Sequence, residues 1–216
     1  MSSHFQTIYK IGYQILDVPG DIFSYINVEV KKMEDTKFVN NISHNEFLAG
    51  NIEREYSITD SVPQLETLID DAAHQYFESY GIPSTPRRKY KFKINPIIGT
   101  PAVWVNFQKK HEFNPIHDHS GLLSFIIFVK IPFYFSDEIK NPSSVNSSAP
   151  FPGVLSFHYV DQYMPGGVQT YNLPVDKTFE GKMIMFCSSL KHSVSPFFTS
   201  DEYRITISGN IIFDNL

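Results

Sequence analysis

After residue 85 the chain breaks into eight short runs rich in β-branched and aromatic residues, each bounded by Pro, Gly, Asn or Ser. The runs cover 90–94, 102–109, 122–131, 153–161, 169–174, 182–186, 192–196 and 203–213. Segments this short cannot bury an apolar face alone; they must pair into antiparallel sheets and stack those sheets. Eight of them suggest a jelly roll, an architecture that encloses a small site between two sheets. The last run shows the two faces best. Arg204, Thr206, Ser208 and Asn210 alternate with Ile205, Ile207, Gly209 and Ile211, one set polar and the other apolar or small.

Before residue 85 the period lengthens to that of helices. Asp21, after Pro19-Gly20, reads as the cap of a helix that carries Ile22, Ile26, Val30 and Met33 on one stripe. A second helix starts at a Ser61/Gln64 capping box, runs through Leu65, Leu68, Ile69, Ala72, Ala73, Tyr76, Phe77 and Tyr80, and stops at Gly81 and Pro83. The expected fold is mainly β with N-terminal helices (α+β). Residues 1–85 form support helices and strands packed on a core at 86–216, one compact domain overall. The stretch 136–152, rich in Asn, Pro and Ser, reads as a surface loop, either a lid or an unstructured segment.

With 216 residues and 42% hydrophobic content, the chain can bury one sizeable core. Its net charge of −5 is interspersed, which argues against nucleic acid as a partner, because that footprint needs clustered Lys and Arg. The single basic run, Arg87-Arg88-Lys89 with Lys91 and Lys93, reads as a solvated edge strand. Nothing approaches the ~18 consecutive apolar residues of a membrane span. The lone Cys187 cannot form an internal disulfide and reads as a small filler. The N-terminus lacks a basic segment followed by an apolar stretch, so a cytoplasmic location is expected.

Chemistry concentrates in His117-Asp118-His119 and His192. Residues i and i+2 of a strand project from one face about 6 to 7 Å apart, so His117 and His119 can share a metal ion. His192, brought in by an antiparallel strand, would close one face of an octahedron and leave the opposite positions open, as an oxygen-activating Fe(II) site requires. Asn114-Pro115 and Ser120-Gly121 place the pair at the mouth of a strand. Arg204 follows His192 after one short strand and a tight turn, which predicts that the two lie side by side inside the barrel. A buried guanidinium demands an anion, and a carboxylate is its best bidentate match. A dicarboxylate gripping iron at one end and Arg204 at the other would satisfy both constraints. Asn106 and Gln108 share a face with Trp104 and either reach this site or serve as structural hydrogen-bonders. The other histidines (His4, His44, His74, His111 and His158) read as surface or hydrogen-bonded core residues.

Four stretches carry a family resemblance: Trp104-Val-Asn-Phe-Gln-Lys-Lys, Asn114-Pro-Ile-His-Asp-His-Ser-Gly-Leu-Leu-Ser-Phe, Gly181-Lys-Met-Ile-Met-Phe-Cys-Ser-Ser-Leu-Lys-His192 and Arg204-Ile-Thr-Ile-Ser-Gly-Asn-Ile. Over about residues 90–213 the chain resembles the 2-oxoglutarate- and Fe(II)-dependent dioxygenases, most of all their small, often phage-encoded branch, which would place it in a host cytoplasm. The resemblance implies a double-stranded β-helix (jelly roll, cupin-like) core. It makes His117 and His192 iron ligands, and has Arg204, helped by the Thr206 hydroxyl, bind the distal carboxylate of 2-oxoglutarate, with Asn106 a further cofactor contact. O2 is the co-reactant, and decarboxylation to succinate and CO2 is coupled to oxidation, by default hydroxylation, of a small-molecule or peptide substrate.

One departure from the family pattern matters. Where the family places Asp or Glu two residues after the first His, this chain has His119, and we take His119 as the third ligand. Asp118 is the runner-up, or an outer residue that orients an imidazole. Phe125, Phe128, Phe157, Tyr159 and Phe186 are expected to line the pocket. Two other readings stay open: a non-redox cupin-type metalloprotein, disfavoured because residues 120–130 contain no acidic residue, and an inactive barrel serving as a structural or binding module.

Overall fold

The two faces of the last run belong to one long strand, β11 (Arg204–Asp214), in a computed structural model that describes residues 12–39, 41–58, 63–80, 90–95, 103–148, 151–160 and 167–214. β11 lies inside a seven-stranded antiparallel sheet ordered β1 (Tyr13–Asp17), β9 (Lys182–Cys187), β6 (Leu123–Lys130), β11, β4 (Val103–Gln108) and β2 (Glu55–Ile58). The seventh strand, β3 (Lys91–Ile94), pairs with the far end of β11. A second, four-stranded antiparallel sheet is ordered β5 (Asn114–His117), β10 (Lys191–Val194), β7 (Leu155–Val160) and β8 (Val168–Leu173).

Strand alternation sorts the large sheet's side chains into two cores. Val105, Phe107, Phe125, Ile127, Met183, Met185, Ile205 and Ile207 face outward and bury the stripes of α1 (Gly20–Asp35) and α2 (Pro63–Tyr80). From the helices come Ile22, Ile26 and Val30, then Leu65, Ile69, Ala72, Ala73 and Tyr76. On the inner face Phe128, Ile184 and Phe186 meet Leu155, Phe157, Leu173, Val194 and Phe197 between the sheets. Each such aliphatic or aromatic side chain contributes about 1.5–3 kcal/mol when fully buried. The layers are therefore helices, large sheet and small sheet. The space between the sheets that these apolar residues do not fill is lined by polar ones.

Several expectations need adjustment. Asp21 does not cap α1; Pro19 takes the N-cap position and its carbonyl accepts from Phe23 N–H at 2.9 Å, so the helix starts two residues earlier than an Asp21 cap would set it. Strands β1, β2 and β5, of four or five residues, were not among the expected runs. β5 also contains Pro115, tolerated because β5 is an edge strand. The segment 136–152 is not a bare loop: α3 (Phe135–Glu138) overlaps its start. Glu138 is fully buried and accepts the backbone N–H groups of Phe198 and Thr199, both at 2.8 Å. That carboxylate pins the segment leading from β10 into β11. Ser61, Gly81, Pro83, His4 and Arg87-Arg88-Lys89 lie outside the described residues.

Candidate metal centre and cofactor cavity

β5 and β10 run antiparallel with His192 directly opposite His117. The chain leaves β5 after His117, and His119 is held beyond it by its backbone N–H, which donates to the Ser188 carbonyl at 2.9 Å. The ring centroids of His117 and His192 are 4.3 Å apart, and His119 lies 4.9 Å from each. One nitrogen from each ring falls within 4.8 Å of the other two.

The rings are prepared for a cation. Nδ1 of His117 faces the Pro115 carbonyl at 2.8 Å and Nδ1 of His192 faces the Leu190 carbonyl at 3.0 Å. A carbonyl only accepts, so each Nδ1 carries the proton and each Nε2 keeps its lone pair free. Burial, reinforced by repulsion between neighbouring imidazoles when they are charged, holds His119 down to about 4 and His192 to about 3. Near neutral pH His119 and His192 are therefore neutral donors, the form a metal ion binds. An all-nitrogen imidazole set suits Fe as well as Zn, Cu or Ni, so the residues fit an iron centre.

Asp118 points the other way, as the neighbour of a strand ligand should. Its carboxylate accepts from Lys191 Nζ at 2.8 Å on an exposed surface, and that ammonium holds the carboxyl below its ordinary range. It adds no atom to the imidazole cluster. The groups that orient the imidazoles are backbone carbonyls, not Asp118.

Arg204 is 2% exposed and begins β11 in the large sheet, whereas His192 sits on β10 in the small one. The two do not lie side by side, because residues 195–203 cross between the sheets; both instead line one cavity. The guanidinium donates through Nη1 to the Gly153 carbonyl at 3.1 Å, and its Nε has no partner among the described residues. Gly153 has φ +70°, and a Cβ there would stand 2.7 Å from the Phe133 ring, so only glycine can present that carbonyl. Burial lowers Arg204 to about 10, which still leaves it charged at neutral pH. Opposite each other on β4 and β11, Asn106 donates through Nδ2 to Thr206 Oγ1 at 3.1 Å, and Asn106 Oδ1 has no partner among the described residues. Gln108, opposite Arg204, commits its Nε2 to the Glu112 carbonyl at 2.6 Å.

Of the aromatic residues expected around the pocket, Phe186 lines the cavity and meets His192 edge-on at 4.8 Å, whereas the Phe125 side chain packs in the core under the helices. Phe128 and Phe157 belong to the core between the sheets, with Tyr159 at its margin. Trp104 forms another wall, backed by a buried His44 stacked on it at 5.2 Å and bonded to Ser57 Oγ at 2.9 Å. Cys187 is partly buried at the edge of the core.

Glu55 is the lining residue that the sequence reading missed. It sits on β2 opposite Asn106, is 1% exposed, and one carboxylate oxygen has no partner among the described residues. Burial, with Glu112 adding repulsion, pushes its carboxyl up to about 7. The signal was Glu55 and Ser57 alternating with Tyr56 and Ile58, the same polar-in pattern as β11 compressed into four residues. Because the unfolded chain loses this proton near 4.5 and the folded chain near 7, the folded state binds more protons between those values, and stability falls as pH rises through that window. The loss is on the order of 3 kcal/mol. Glu55→Gln should therefore unfold at a higher temperature than the parent at pH 8 and lose that advantage at pH 4. Thermal unfolding at both pH values checks it, and an equal difference at each would contradict this account.

Residues 102–210, just over half of the chain, match the sequence profile of the family described as 2OG-Fe(II) oxygenase. The chain belongs to that family. The oxygenase is similar in fold to a prolyl-4-hydroxylase from Pseudomonas putida, with TM-score 0.52 and 12% identity over 92% of this chain and 91% of that one. It is also similar to a prolyl hydroxylase from Trichoplax adhaerens, solved with a hypoxia inducible factor oxygen degradation domain peptide fragment. There the TM-score is 0.53 and the identity 12%, over 94% of this chain and 83% of that one. At such identity the likeness is one of fold. No curated protein sequence matches the chain. The family's chemistry uses Fe(II), 2-oxoglutarate and O2, and the imidazole triad could hold the iron. Among the described residues no helix of the oxygenase is long and apolar enough to cross a membrane.

Proposed function

We propose that the oxygenase is a hydroxylase in which His117, His119 and His192 hold Fe(II) and Arg204 receives the far carboxylate of 2-oxoglutarate. The observation that carries this reading is the facing of three imidazoles and one buried, partly unpaired guanidinium across a single cavity. In this reading the two sheets are a double-stranded β-helix core, and the N-terminal helices and strands are its support. The prolyl hydroxylases of like fold support hydroxylation as the outcome.

Bound iron supplies the oxidative chemistry: O2 and 2-oxoglutarate become succinate and CO2, with one oxygen atom going to CO2's partner succinate and the other to a substrate C–H bond. The protein supplies placement. Arg204 offers a planar donor pair to one carboxylate, and a neutral carboxylate–guanidinium contact in a buried setting fixes the acid's direction. Thr206, already accepting from Asn106, has its hydroxyl hydrogen free to donate to the same carboxylate. Phe186 and Trp104 limit water around the reacting centre. Three neutral imidazoles leave a site of net positive charge, which favours a dianionic acid over neutral analogues.

Anaerobically purified protein loaded with Fe(II) and 2-oxoglutarate should form succinate when O2 is admitted, even without a substrate. Chelation of the iron should abolish it. Absence of succinate under all iron and pH conditions would overturn the proposal.

A further inference from the structure

The wall of the cavity formed by β2 and the 48–52 segment is built from acceptors that have nothing to accept. Glu55 Oε2 and Asn114 Oδ1 are buried without a hydrogen-bond partner among the described residues, and both residues line the cavity. Both side chains reach Gly50: a Cβ added there would stand 2.1 Å from Asn114 Oδ1 and 3.3 Å from Glu55 Oε1, the other oxygen of that carboxylate. Asn106 Oδ1, on the neighbouring strand directly opposite Glu55, is a third unpartnered oxygen. An amide can present either end, but a carboxylate, once ionised, can only accept. A buried carboxylate oxygen without a donor is costly to keep, and no described residue donates to this one.

We infer that Glu55, with Asn114 and Asn106, is the subsite for a cationic nitrogen on the primary substrate, an alkylammonium or guanidinium group such as a lysine or arginine side chain carries. Such a group brings several N–H donors and a positive charge to three acceptors that lack both. The arrangement also divides the cavity by sign. Arg204 draws the dianionic cosubstrate to one wall, and the Glu55 wall repels it while attracting a cation, so the two ligands cannot exchange places. An uncharged prolyl or aliphatic side chain would leave all three oxygens unsatisfied.

This inference names the substrate class for the site read above as a hydroxylase, but cation binding itself needs neither iron nor O2, so the two can fail separately. The probes are L-arginine and L-lysine, their uncharged counterparts citrulline and norleucine, and the blocked peptides acetyl-Gly-Arg-Gly-amide and acetyl-Gly-Lys-Gly-amide. Calorimetry on the full chain, metal-free and then with Fe(II) and 2-oxoglutarate under anaerobic conditions, should show saturable binding of the cations and not of citrulline or norleucine. Binding of the free amino acids alone indicates a metabolite substrate, and binding of the peptides a protein side chain; either supports the subsite. Glu55→Gln should weaken the cation by at least about tenfold, the scale of a hydrogen bond to a charged group. Gly50→Ala, which displaces Asn114 and keeps the carboxylate, should also weaken it. Failure of every cation to bind the parent chain, or equal binding by Glu55→Gln, overturns the inference. Cation binding in a chain that forms no succinate would overturn the hydroxylase reading and leave the subsite standing.

Discussion

Arg204→Met should lower the affinity for 2-oxoglutarate by roughly 100-fold or more while leaving the protein folded, because removing one partner of a desolvated charge pair costs 2–5 kcal/mol. Methionine is chosen over alanine for a physical reason. It keeps the length of the apolar stem, and it removes a charge that is 2% exposed and hydrogen-bonded to the Gly153 carbonyl. Replacing a buried charge with an apolar side chain of similar volume is often neutral or stabilising in the ligand-free protein. A loss of 2-oxoglutarate binding without a fall in thermal stability would then be a loss of recognition, not of structure. Arg204→Lys should fall between, since the charge survives and the planar donor fork does not. Anaerobic calorimetry of the Fe(II)-loaded variants reads the result. A methionine variant that binds 2-oxoglutarate as tightly as the parent would remove Arg204 from the site.

How much of this was legible in the sequence depends on what kind of information each element carries. The alternation in β11 was long enough to show both its faces, and it delivered Arg204 and Thr206 to the interior and Ile205 and Ile207 to the helices. The stripes of α1 and α2 were equally plain, because Ile22, Ile26 and Val30, or Leu65, Ile69 and Ala72, repeat over several turns. The spacing of His117 and His119 gave their convergence. What spacing could not give was the partner strand. His192 pairs across β5, yet Arg204 lies in the other sheet, because the crossing at residues 195–203 is set by the buried Glu138, far away in sequence. Glu55 was invisible for a related reason. Its four-residue strand has too short a period to read, and its burial is created by β4 and the 48–52 segment, which only the folded chain brings together.

His119→Ala and His192→Ala should each weaken metal binding by more than about 100-fold, beyond the 10–100-fold typical of residues that only orient a ligand. Asp118→Ala should change it by less than about fivefold, since an exposed ion pair is worth at most about 1 kcal/mol. The contrast follows from direction. Asp118 is held outward by Lys191, whereas His119 and His192 face each other with ring centroids 4.9 Å apart. The measurement is metal content after anaerobic equilibration with Fe(II) and a competing chelator. Iron retained by His119→Ala and lost by Asp118→Ala would exchange their roles and restore the carboxylate that the family places in the third position. The all-imidazole site makes one further demand. With no anionic ligand, the ion keeps its full double charge until the dianionic cosubstrate arrives, so 2-oxoglutarate should tighten iron retention, and by linkage iron should tighten 2-oxoglutarate by the same factor. Arg204→Met should reduce the amount of cosubstrate bound at a given concentration without touching the imidazoles, and so shift that tightening to higher 2-oxoglutarate. Iron affinity measured across a cosubstrate series in both proteins distinguishes this from a metal site that ignores the acid altogether.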